Sequence, residues 1–205
     1  QTVFGITAAA MALAFLVPAP AIGQRLSRAK AKVKAAGIPF DPYPPDKPAR
    51  IRRALEAVYA LHTVADAAPA AASLKTDAVE LALLMAHLAP DDAEALGLAA
   101  LLTFVAARDP ARRDATGAYV PLSLQDPARW NADLIGEAER LLHRAASLRA
   151  PGPFQTEAAI QSIHCDRRRT GTTVWPAVAA LYDALWTLAP TVGAGVARAA
   201  ARAKA

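Results

Sequence analysis

Very little of this chain can build a β-sheet. Runs of β-branched residues are almost absent and aromatics make up only 6% of it, while alanine and leucine fill most of a 54% apolar content. Both are strong helix formers, and strands need the branched and aromatic side chains that are scarce here. The expected fold class is all-α. A length of 205 residues leaves room for one large domain or two small ones.

An apolar run opens the chain. Residues 6–22 (ITAAAMALAFLVPAPAI) include Ala19-Pro20-Ala21, which imitates the small-residue cleavage site of a secretory signal. No Lys or Arg precedes the run, Pro18 and Pro20 interrupt it, and it is too short to span a bilayer. It reads as folded structure, with no membrane partner. The first residue is Gln1 and not Met, so a piece of a longer protein is expected.

Within that run, Thr7 suits an N-cap for a short helix over residues 8–17, which Pro18 stops. A second helix is expected from Ala21 to a C-terminal Gly37. Its Ile22, Leu26, Ala29 and Val33 recur at helical spacing and predict one apolar face. Gln24, Arg25, Ser27, Arg28, Lys30, Lys32 and Lys34 occupy the remaining surface, and residues 24–37 contain no acid. Two helices with a tight turn, the second starting with amide and guanidinium groups, are the parts of a helix-turn-helix. Gln and Arg can pair with base edges, and lysines farther along suit phosphates. Periodicity and charge fit equally a solvated amphipathic helix with a basic outer face. The formal charge of +5 agrees with a polyanionic partner without demanding one.

The stretch GITAAAMALAFLVPAPAIGQRLSRAKAKVKAAGIPF resembles the end of region 4 of the extracytoplasmic-function sigma factors of bacterial RNA polymerase, in particular the subgroup with a long helical C-terminal extension. Phe15-Leu16-Val17 and the segment from Ala36 to Phe40 carry most of the likeness. Ala9 and Ala10 stand where that family usually has acids, and Leu13 where it usually has arginine. The resemblance implies promoter DNA (the minus-35 element) and the RNA polymerase core as partners, with Gln24, Arg25, Ser27, Arg28, Lys30, Lys32 and Lys34 as the DNA-binding residues. The missing first half of such a region would normally cover Met11, Phe15, Ile22 and Leu26. Those residues are expected to dock on the larger domain or on a second copy of the chain.

Three segments are expected: residues 1–40 as the end of the helix-turn-helix, 41–48 as a proline-rich spacer, and 49–205 as a helical extension. Helices are placed at 49–66, 74–89, 91–107, 128–149, 154–165, 174–189 and 192–204, with a long loop over 108–127. Ala89-Pro90, Ala150-Pro151 and Ala189-Pro190 each separate two such helices, a loose repeat of tetratricopeptide-like kind. Residues 126–130, Gly152-Pro153-Phe154-Gln155, Ala158-Ala159-Ile160, His164 and Ala180-Leu181-Tyr182-Asp183 also resemble the extension of the same sigma factors. Stacked helical pairs usually present interaction surfaces, so a regulatory protein is an expected partner.

Candidates for chemistry are few. His164-Cys165-Asp166 are neighbours in sequence, and neighbours on a helix do not face one another, so a Cys–His pair is geometrically poor there. Arg167-Arg168-Arg169 reads as a solvated loop that could meet phosphate or an acidic partner, and Trp130, Trp175 and Trp186 read as packing residues. Cys165 is the single cysteine, which excludes an internal disulfide and fits a reducing, cytoplasmic setting. No phosphate-binding loop, paired-carboxylate motif or nucleophile elbow is present. The expectation is a protein without enzymatic activity, cofactor or metal. Two functions remain open: promoter binding in transcription initiation, or a helical-repeat interaction module that does not bind DNA.

Overall fold

The computed structural model describes residues 7–15, 17–37, 46–67 and 72–205. They are all-α: α1 (Ala8–Phe15), α2 (Ala19–Ala35), α3 (Lys47–Ala67), α4 (Ala72–Leu88), α5 (Ala93–Ala107), α6 (Ala132–Ser147), α7 (Pro153–Thr170), α8 (Trp175–Leu188) and α9 (Val192–Arg202). Among the described residues the nearest approach to a strand is an isolated antiparallel bridge between Arg113 and Tyr119. None of the helices there is long and apolar enough to cross a membrane.

Two compact units divide the chain at Ala78 and Val79. The expected boundary fell earlier, at residues 41–48, of which 41–45 lie outside the described residues. α3, expected to open the larger domain, belongs to the unit of α1 and α2, because α1 packs against it as well as against α2. In this first unit α2 starts two residues earlier than expected. Pro20 sits in its first turn, where a missing N–H costs nothing. α3 buries Leu55, Val58, Leu61, Val64 and Ala65, a spacing of three and four that marks one helical face. Between α3 and α4, Lys75 and Asp66 form an ion pair at 2.6 Å.

The second unit is built around α5. Residues 95–104 are all buried, together with Ala93 and Ala107, so this helix is apolar around its whole circumference, as a central helix must be. Asp92 caps it, accepting from the N–H groups of Glu94 and Ala95 at 3.0 and 2.9 Å. α6 and α7 both pack on α5, α8 packs on α7, and α9 on α8. Ile160, Val178, Ala179, Leu185, Ala194 and Ala201 form the core shared by α7, α8 and α9. The Ala-Pro pairs read from sequence do stand between α4 and α5, α6 and α7, and α8 and α9.

Gly97 lets α5 and α7 approach closely: a methyl group there would stand 2.6 Å from the backbone nitrogen of Gln155. α7 has no side-chain cap of its own at Gly152. Glu94 supplies one from α5, its two carboxylate oxygens accepting from the N–H groups of Phe154 and Gln155 at 2.9 and 3.0 Å. α8 and α9 are tied by Asp183, which accepts from both Arg198 and Arg202.

Two helix ends in the second unit differ most from expectation. α6 begins at Ala132 and not near 128, because Asn131 caps it and Asp126 caps a separate short turn over Pro127–Arg129. α7 runs to Thr170, five residues past the expected end, and Gly171 closes it in the left-handed conformation at φ 74. Arg167, Arg168 and Arg169 are therefore helical and not a loop, at the end of α7 where the dipole favours cations. The 108–127 connection is a packed one: Asp114 accepts from Thr116 and Ala118, and Arg167 donates to the carbonyls of Leu122 and Gln125.

Candidate nucleic-acid interface

All seven residues expected to meet DNA lie on α2, and all seven are exposed. Ile22 is buried and Leu26 half-buried, as the apolar stripe requires. The stripe does not continue: Ala29 is exposed and Val33 is 61% exposed. Helix lengths explain the difference. α1 has 8 residues and α2 has 17, so at ~1.5 Å per residue α1 spans about 12 Å beside a partner of about 26 Å. The second half of α2, residues 27–35, is exposed all round. A bare helix rod whose side chains include four cations and no acid is the result.

Of the docking expected for α1 and α2, the described residues show only α1 packing on α3, within the first unit. Met11 is half-buried; of Phe15 only the backbone is described.

Chemistry-bearing residues in the second unit diverge. His164 sits edge-on to Trp175, with ring centroids 5.7 Å apart. Cys165, the next residue, accepts from Arg108 Nη1 at 3.8 Å. Burial pushes the Cys165 thiol up, an effect that the Arg108 cation opposes. Burial, then the positive charges of Arg108, Arg167 and Lys204, lowers His164 from 6.5 to about 4. Asp166 pairs with Arg169 at 3.0 Å. An open recess of about 440 Å³ between α6 and α7 is lined in part by Glu139, Ser162, Asp166 and Arg168. Glu139 there already accepts from Ser162 at 2.6 Å. Among the described residues no three His, Cys, Asp or Glu side chains converge as metal ligands would.

Trp130 is buried and Trp175 half-buried, Trp186 is exposed, and each carries a cation. Arg167 lies 5.0 Å from the ring centre of buried Trp130, Lys204 lies 4.4 Å from that of Trp175, and Arg198 lies 5.7 Å from that of Trp186. Sequence reasoning missed Arg108, a buried arginine at the end of α5, and Glu94, whose partners lie 60 and 61 residues away. Neither had a local signal. A basic segment directly before an apolar-periodic helix was visible at the start of α3 (KPARIRR).

Residues 50–146 match a family described as a family of unknown function (DUF6596). An uncharacterized protein of Rhizobium meliloti (strain 1021) is 37% identical over 197 residues, an alignment covering 93% of this chain and 47% of that protein. The chain thus spans about half the length of the curated relative it matches. No solved structure matches it.

Proposed function

We propose that this chain is part of an RNA polymerase sigma factor of the extracytoplasmic-function group. On this reading residues 1–40 end a promoter-reading helix-turn-helix, and the helices after them form an extension that contacts a regulatory protein. The observation that carries the reading is α2: Gln24, Arg25, Ser27, Arg28, Lys30, Lys32 and Lys34 all exposed, and no acid from residue 24 to 37. A single exposed helix fits the major groove, which is about 12 Å wide. Gln24, Arg25, Ser27 and Arg28, near the start of α2, would meet base edges there, while Lys30, Lys32 and Lys34 hold phosphates. The polymerase core would be the second partner, and the cytoplasm the place of action.

A second reading is favoured by the far end of the chain. Leu188, Val192 and Val196 are 45%, 86% and 67% exposed on α8 and α9, as on a helical module that binds another protein. Selection of duplexes from a random-sequence library by the full chain separates the two. The sigma-factor reading predicts enrichment of one short motif; a library that emerges unenriched leaves only the interaction module.

A further inference from the structure

Positive charge is not spread along this chain. Residues 25–53 hold nine of its 23 Lys and Arg but two of its 18 Asp and Glu. The rest, with 14 basic and 16 acidic side chains, has no positive excess at all. Five of the nine cations are the α2 residues already described. The other four, Lys47, Arg50, Arg52 and Arg53, fill the first two turns of α3, ahead of its first buried residue, Leu55.

Of these four only Arg50 makes a contact that holds the helix. Arg50 is paired with Asp46 at 2.8 Å on an exposed surface. Lys47, Arg52 and Arg53 are exposed and make no hydrogen bond or ion pair with any described residue. The first turn of α3 contains no acid, and cations stand there at the end of the helix where the dipole disfavours them. Like charges on successive turns also repel. Fold stability therefore does not account for Lys47, Arg52 and Arg53, and a negative surface from outside would. α1 packs against both α2 and α3, so one small body carries both cation groups.

We propose that the start of α3 is a second DNA contact, in which Lys47, Arg52 and Arg53 neutralise backbone phosphates of the duplex whose bases α2 reads. It rests on the sigma-factor reading for its choice of partner. Arginine binds phosphate through paired N–H groups and lysine as a point charge, and neither contact depends on base sequence. The α3 contact supplies affinity and α2 supplies discrimination.

The test is a fluorescence-anisotropy titration of the full chain against its selected duplex and a scrambled one, from 50 to 200 mM salt. The triple variant Lys47→Gln, Arg52→Gln, Arg53→Gln is expected to weaken both duplexes alike. At ~0.9 per lost phosphate contact, the affinity lost between the two salt concentrations shrinks about 40-fold. Arg52→Lys with Arg53→Lys keeps most of the slope and controls for folding. Unchanged affinity and slope in the triple variant overturns the proposal, as does a variant that loses only its binding to polyglutamate, since the patch would then serve an acidic protein. Arg25→Ala with Arg28→Ala is run beside it. If that pair leaves base preference intact, the reading of α2 fails while the salt slope still decides α3.

Discussion

Replacing Glu94 by alanine removes an acceptor that α5 lends to the start of α7. The two hydrogen bonds involved, at 2.9 and 3.0 Å, join backbone N–H groups to a carboxylate. Bonds to charged acceptors contribute about 1.5–3 kcal/mol when buried and independent. These two share one half-buried carboxylate, so the loss expected is that of a strong helix cap, about 2 kcal/mol. For a unit of this size that lowers the melting midpoint by roughly 6–12 °C. Thermal unfolding followed by circular dichroism measures it, with Asp92→Ala as the comparison. Asp92 caps its own helix, and its loss should cost only about 1 kcal/mol. Glu94→Gln, which keeps the shape but not the charge, should fall between Glu94→Ala and the unaltered chain. If Glu94→Ala is no more destabilising than Asp92→Ala, the carboxylate does not join α5 to α7 in the way described.

Two further outcomes follow from the same unit. Gly97→Ala places a methyl 2.6 Å from the Gln155 backbone, which cannot move without α7, and should cost about 1–3 kcal/mol in denaturant unfolding. His164 has its pKa lowered to about 4 by burial and neighbouring cations, so the folded state binds fewer protons than the unfolded one between pH 4 and 6.5. Its stabilising effect is complete above 6.5 and is lost as pH falls toward 4. Chemical unfolding of His164→Gln should therefore be flatter across that window, by on the order of 2–3 kcal/mol.

Much of the fold was legible because it is written locally. Alanine and leucine without branched runs dictate helices, the three Ala-Pro pairs mark turns between them, and Leu96, Ala100 and Phe104 at helical spacing are indeed buried in α5. What stayed hidden depends on distant partners. α2 reads as amphipathic to Val33, yet its stripe is buried only as far as the shorter α1 reaches. Three successive arginines read as a loop, yet Arg167 is helical and holds the carbonyls of the 108–127 connection. The clamp of Glu94 on α7 crosses 60 residues and has no sequence signature. The basic side chains of α2 were all found from sequence, since exposure of a long polar face needs no partner to predict.

Whether α2 reads DNA is decided by the affinity of the Arg25→Ala, Arg28→Ala chain for its selected duplex. Each arginine that pairs with a base edge contributes about 1–3 kcal/mol of discrimination, so the double variant should bind at least ~10-fold more weakly and lose its preference over a scrambled duplex. Lys32→Ala, measured in the same titration, should weaken both duplexes equally and lower the salt slope by about one. A double variant that binds the selected duplex as tightly and as selectively as the unaltered chain would contradict the claim and leave α2 a solvated basic helix.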